Sequence, residues 1–334
     1  MDILKFPLRL LRRAKSKPQT YILQLPVEIL LEIFEYLPPY SQLLVYQACR
    51  PLRTLVHQYF LAGKGNVLAT LEDKLRYLTH LARSTPDRWV CAKCCKLHQT
   101  CKWDTPVYRG AYQLPACRDG IAYVPHDSEC QTLSNVGYSA SHRHIELTLK
   151  YSRLKSKKKK HRTHLQRLLA PHHFETQSPR SISVAEGILA QSSFYPKVVD
   201  GRYLLHTVRT YLGAETPVSP RSIKFLQICP HLHSLGGFCR WNNMGIDLDT
   251  VFNMAFSAPP NTPIFSSCPA CGTDISIQFS PERAVVCAWQ DVGPEATVYD
   301  PDWEAIVRRT KVVYHDAGSI RELFGQHEHN GEIF

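Results

Sequence analysis

The residues whose type and spacing most directly suggest chemistry are two Cys-x-x-Cys pairs, Cys91/Cys94 and Cys268/Cys271. Cysteines three apart across a tight turn bring both sulfurs to one tetrahedral cation, and thiolate is a preferred ligand of zinc. Each pair needs two more donors. Cys117 is the nearest attractive completion of the first pair, with His98, Cys101, His126 and Cys130 as rivals. Upstream of the second pair lie Cys229, His231 and His233 in one compact segment, and then Cys239. A third arrangement joins both pairs in a single four-cysteine site. The chemistry expected is structural zinc, with one or two ions per chain. The competing reading is reduced cysteine packing as a small apolar residue.

Twelve cysteines in 334 residues are too dilute for a disulfide scaffold, and no secretory signal is read in the sequence. A reducing compartment, cytoplasm or nucleus, follows as the expectation. No run approaches the eighteen or so apolar residues of a membrane-spanning helix. Catalytic signatures are missing too. The sequence holds no Gly-x-Ser-x-Gly elbow, phosphate-binding glycine loop, His-Glu-x-x-His helix or dinucleotide fingerprint. The chain is therefore expected not to be an enzyme.

The net charge of +11 raises nucleic acid as a partner, so its location matters. Residues 1–20 hold six basic side chains and one acid, and residues 150–167 hold nine basic side chains and no acid. These two stretches exceed the whole excess and leave the body slightly acidic. The charge thus belongs to a tail and a loop, which argues against a nucleic-acid partner. The run from Lys155 to Arg162 is expected to be a solvated loop between strands, with a nuclear-import signal or a nucleic-acid contact as the alternatives, the latter making the chain a zinc-dependent nucleic-acid-binding protein.

The elements that must position these groups change character along the chain. Leu25, Ile29, Ile33 and Leu37 recur every fourth residue, widened by Leu30 and Phe34, and predict an amphipathic helix opened by Pro26 and closed by Pro38-Pro39. Tyr40-Ser41 is the expected cap of a second helix, and Leu52 to Phe60 predict a third, with Pro51 inside it as an interruption. Three short helices cannot bury all these side chains among themselves, so part of the stripe should face another protein. Leu71, Leu75, Leu78 and Leu81 predict one more helix.

Beyond Trp89, short alternating runs predict strands at Ile145 to Tyr151, Tyr203 to Leu212, Ile275 to Phe279, Val285 to Trp289 and Lys311 to His315, with a late helical turn at Ser319 to Phe324. The layout expected is α+β. It comprises a basic tail over 1–20, a helical module over 21–62, a connecting helix over 63–86, and a strand-rich domain over 87–334 with a basic loop at about 153–165.

The segment Leu25-Pro26-Val27-Glu28-Ile29-Leu30-Leu31-Glu32-Ile33-Phe34-Glu35-Tyr36-Leu37, continued by Leu43, Leu44, Cys49-Arg50 and Leu52, resembles an F-box. That resemblance implies docking on a Skp-type adaptor, and through it on a cullin, by Leu25, Pro26, Glu28, Ile29, Leu30, Ile33, Phe34, Leu37, Leu43, Leu44 and Leu52. It also implies a substrate-receptor role in an SCF-type ubiquitin ligase, with the larger domain recruiting an unknown protein substrate. Outside the F-box, Trp89 to His98, Cys268 to Asp274, Ala288 to Gly293 and Gly318 to Leu323 resemble segments of a group of fungal F-box proteins.

Overall fold

The computed structural model describes residues 21–62, 67–107, 132–135, 138–154, 158–176, 184–213, 216–223, 225–234, 248–309 and 311–326. The fold is α+β. The chain divides into two compact units, Met1–Tyr77 and Leu78–Phe334.

In the first unit, a 3-10 turn at Tyr21–Gln24 precedes α1 (Val27–Glu35), α2 (Pro39–Ala48) and α3 (Arg50–Val56), which runs on into a π-helical turn at His57–Leu61. Pro39 itself opens α2, one residue ahead of the expected Tyr40-Ser41 cap, because its fixed φ suits the first helical position. Pro51 does not interrupt α3. The chain breaks at Cys49, so Pro51 falls in the first turn, where a missing amide proton costs nothing. Leu30, Phe34, Leu52, Val56 and Phe60 close a small core, with the Phe34 and Phe60 rings edge to face at 6.3 Å. The buried Gln42 amide donates to the Phe34 carbonyl at 3.0 Å, which also accepts from Leu37 N–H at 3.1 Å, and to the Leu37 carbonyl at 3.1 Å, tying α2 to the end of α1. The boundary between the units falls within α4 (Leu71–Arg83).

The second unit begins with the hairpin β1 (Arg88–Cys91) and β2 (Lys96–Gln99), then β3 (Thr132–Asn135) and β4 (Tyr138–Ser141). Two helices follow, α5 (His142–Leu154) and α6 (Lys159–Leu168). Next come β5 (His172–Thr176), β6 (Ile188–Val199), β7 (Arg202–Gly213), and the short pair β8 (Leu226–Gln227) and β9 (His233–Ser234). The chain continues through α7 (Leu248–Ser257), β10 (Ile264–Ser267), β11 (Thr273–Ser280), β12 (Arg283–Pro294), α8 (Pro301–Val307) and α9 (Ser319–Gln326). Six strands form one antiparallel sheet in the order β10-β11-β12-β7-β6-β5.

Alternation along β7 covers both faces of the sheet. Tyr203 and Leu205 enter the main core, whereas Leu204 packs with Val199, Ile320 and Phe324 on the other side. Asp200-Gly201, both at positive φ, makes the two-residue turn that joins β6 to β7 and pairs Val199 with Arg202. Asp274 on β11 reaches α9. Its carboxylate accepts from the backbone amides of Gly318 at 2.9 Å, Ile320 at 2.9 Å and Arg321 at 3.0 Å, and lies 3.2 Å from His315 Nε2.

Three further expectations are corrected. Ile145 to Tyr151 is helix, not strand. Ile145 and Leu149 face the main core, while Leu147 and Tyr151 face a second cluster with Trp89 and Cys91, so two i,i+4 pairs on opposite sides of a buried helix imitate a period of two. The basic loop at 153–165 is not one loop, since α5 runs to Leu154 and α6 starts at Lys159, with His161, His164 and Leu168 buried beneath it. Lys311 to His315 is extended but unladdered, held by Val313 N–H donating to the Ala270 carbonyl at 3.0 Å.

Candidate metal centre and docking face

The turn between β10 and β11 carries Cys268 and Cys271. Cys268 N–H donates to the Thr273 carbonyl at 2.8 Å, which closes the turn, and Ala270 N–H donates to Cys268 Sγ at 3.4 Å. A Cβ at Gly272 would come within 3.3 Å of Asp291 Cβ, so the glycine lets this turn lie against β12. Cys229 and His231 sit in the turn between β8 and β9. There Leu232 N–H donates to Cys229 Sγ at 3.3 Å, and Gln290 from β12 donates to the Ile228 carbonyl at 3.1 Å. Two turns, each with an amide aimed at a sulfur, thus face one another.

The ligand atoms of Cys229, His231, Cys268 and Cys271 all lie within 4.8 Å of one another, and the three cysteines are buried. Cys229 Sγ is 3.7 Å from Cys268 Sγ and 4.0 Å from His231 Nδ1. Burial and its neighbours push the Cys229 thiol up, hydrogen bonds with Cys229 and Cys268 push Cys271 up, and hydrogen bonds from Cys229 and Cys271 hold Cys268 down as thiolate. A divalent cation at the centre of the three sulfurs would displace their protons and relieve the crowding. The donor set can hold a metal ion.

The β1–β2 hairpin gathers the other pair. Cys91, Cys94 and His98 form a second cluster whose ligand atoms also lie within 4.8 Å, with Cys94 Sγ 3.0 Å from His98 Nε2. Cys95 at φ +51 turns the chain, and its N–H donates to the Cys91 carbonyl at 2.9 Å. Trp89 stacks on His98 with ring centroids 5.0 Å apart. Cys101 is described and does not join this cluster. Cys117, His126, Cys130 and Cys239 lie outside the described residues. The four-cysteine arrangement does not form, because each pair collects its own partners. Nor does His233 join the centre; Arg309 Nη2 stands 3.1 Å from its Nε2. The nine described cysteines are free of disulfides.

A serine–histidine–aspartate line exists at Ser141, His144 and Asp104, but its geometry is that of a cap. Ser141 N–H donates to His144 Nδ1 at 3.1 Å, so Nδ1 is an acceptor and Nε2 carries the proton toward Asp104 Oδ1 at 3.0 Å. Burial opposes ionisation of Asp104, yet His144 and Arg143 outweigh it and hold its carboxyl well below the usual range. With Arg143 Nε at 2.6 Å, the carboxylate is fully engaged in fixing α5.

In the first unit, the sequence-predicted docking residues separate by side. Leu30, Phe34 and Leu52 are inside the core. Leu25, Ile29 and Ile33, four residues apart, point outward, Ile29 at 43% exposure against 1% for Phe34 on another side of the helix, and Ile22, Leu23 and Val27 are exposed as well. Pro26 and Glu28 are exposed, while Leu37, Leu43 and Leu44 are half-buried. The exposure of Ile22 and Leu23 was not foreseen; they precede the helical stripe that periodicity detects.

Compared with known proteins, residues 22–61 match the F-box-like family model. No curated protein and no solved structure matches the chain.

Proposed function

We propose that this chain is a non-catalytic substrate receptor. Its F-box-like domain docks on a Skp-type adaptor, and through it on a cullin, while the second unit recruits a protein substrate for ubiquitin transfer by other subunits. What carries the reading is the outward apolar row of Leu25, Ile29 and Ile33, with Ile22, Leu23 and Val27 also exposed, while Leu30 and Phe34 close the core. A concentration of exposed apolar side chains of this kind marks an interaction surface. The match of residues 22–61 to the F-box-like model names the kind of partner. Among the described residues no helix is long and apolar enough to cross a membrane, and cytoplasm or nucleus suits a ligase subunit. The engagement of His144 with Ser141 and Asp104 supports the non-catalytic part, since the imidazole has no free position from which to take a proton.

Cys229, His231, Cys268 and Cys271 suit zinc as a structural staple, because a closed set of three thiolates and one imidazole leaves no position for substrate. Purification of the tagged chain from cells, followed by detection of adaptor and cullin, tests the receptor reading. Both partners are expected. Adaptor without cullin would instead favour a role outside the ligase, and neither partner would sink the proposal.

A further inference from the structure

The lysine-rich run, expected as a solvated loop, is in large part the helix α6, which packs on α5 and shares with it a core that includes Trp89, Cys91 and Cys94. Near its amino end, Asp87 meets Lys160 Nζ at 2.7 Å and His161 Nε2 at 2.8 Å. Toward its carboxyl end, His164 Nε2 lies 2.9 Å from the Asp104 carbonyl, and Arg167 Nη1 donates to the Lys102 carbonyl at 3.4 Å. Beneath, Leu165 and Leu168 share a core with Trp89, Cys91 and Cys94. Helix α6 and the segments that flank the hairpin therefore present one surface.

That surface is strongly cationic. Segments 87–107 and 158–168 hold nine lysines and arginines against two aspartates, and both aspartates are neutralised locally, Asp87 by Lys160 and Asp104 by Arg143. Lys93, Lys96, Lys102, Lys159 and Arg162 are exposed. Trp103 stands 54% exposed, with the Arg167 guanidinium 4.5 Å and Lys102 Nζ 5.0 Å from its ring centroid.

The geometry points to a binding surface for single-stranded nucleic acid on this face, with Trp103 as a stacking platform and the surrounding cations as phosphate contacts. Long-range attraction to a phosphate backbone needs charges spread along a surface, which the lysines supply as unforked point charges. Lysine and arginine attract carboxylate and phosphate alike, so the exposed aromatic ring and not the charge decides between an acidic protein segment and a nucleic acid. An acidic segment offers nothing flat to Trp103, whereas every unpaired base does. A duplex keeps its bases stacked inside and leaves the tryptophan unused. This surface belongs to the second unit and stands independently of adaptor docking.

The test uses the full chain and a fluorescein-labelled single-stranded RNA of mixed sequence, about 20 nucleotides long, titrated by anisotropy at about 50 mM salt and upward. Saturable binding is expected, weakening with salt by roughly 0.7 units of log K per unit of log salt for each phosphate contacted. Trp103→Ala should weaken it about ten-fold and Trp103→Phe much less, because the ring is kept. Lys159→Gln with Arg162→Gln should flatten the salt slope by roughly one unit or more. Thermal melting verifies that each variant is folded, and the Lys159/Arg162 pair, exposed on α6, serves if Trp103→Ala is not. Absence of saturable binding overturns the proposal. So does an affinity indifferent to Trp103→Ala, or displacement of the RNA by polyglutamate at equal charge, which would make the face a site for acidic protein.

Discussion

Cys229 Sγ lies 3.7 Å from Cys268 Sγ, although 39 positions separate the two residues in sequence. A tetrahedron with arms of about 2.3 Å has edges of roughly 3.8 Å, whereas a disulfide bond measures about 2.05 Å. The spacing fits two ligands of one ion as well as it fits a thiol-to-thiol hydrogen bond. With Cys271 and His231 it sets the β8–β9 turn against the β10–β11 turn, beside the bond from Gln290 to the Ile228 carbonyl.

Metal is the first expectation. Protein made in zinc-supplemented medium should keep about one to two equivalents of zinc after dialysis, and Cys271→Ser should lose about one of them. Elemental analysis with and without a chelator measures this, and chelation should lower the melting temperature of the second unit. Metal-free protein that melts unchanged would make the cysteines packing residues.

Docking and core residues of α1 should separate cleanly. Leu25→Ala with Ile29→Ala is expected to abolish adaptor capture, at about 2 kcal/mol or more per anchor, and to leave the melting curve in place. Phe34→Ala, in the core on the same helix, should cost about 3–5 kcal/mol of the first unit's stability. A pull-down beside a denaturant titration tests both. Capture by the double variant at full strength would remove the docking face from consideration.

These contrasts show what the sequence could and could not display. Periodicity located α1 because its apolar residues fall every third or fourth position, but the same period cannot say that Leu30 and Phe34 turn inward while Ile29 and Ile33 turn outward. It failed at α5, where a helix packed on two sides has apolar residues at every second position. Spacing found both cysteine pairs. Their partners depended on which turns the sheet brings together, and Cys229 and His231 were two of four upstream donors until β8–β9 was placed against β10–β11. The lysine run was misread because its buried side consists of His161, His164 and Leu168, a face too polar to register as a stripe.

Asp274→Ala should cost at least about 2 kcal/mol, since it strands three amides at the start of α9. Burial works against ionisation of Asp274, but His315 and these backbone donors more than offset it and lower its carboxyl. Hydrogen exchange should accelerate first in Ser319–Gln326, ahead of the sheet. Uniform acceleration throughout the second unit would contradict a local capping role.

Acid should weaken the second unit partly through His206. Its ring is flanked by its cross-strand neighbours Trp289 at 4.8 Å and Tyr195 at 5.7 Å, and burial lowers its pKa to about 4. A base held below its unfolded pKa of about 6.5 favours the fold fully above that pH, and the contribution fades as pH falls through about 4. At most about 3 kcal/mol is at stake. His206→Phe keeps an aromatic ring and should flatten the dependence of stability on pH between those values. An unchanged slope would assign the acid sensitivity elsewhere.

The strand order has a consequence for the chain during synthesis. β7 lies inside the finished sheet, between β6 and β12, yet β12 begins only at Arg283, long after β7 ends at Gly213. A nascent chain that has zipped β5, β6 and β7 therefore carries one whole flank of β7 as an unpaired edge until its partner leaves the ribosome. That interval is when the growing polypeptide is most exposed to mispairing with a neighbour, and chaperone capture would matter most between those two points of translation.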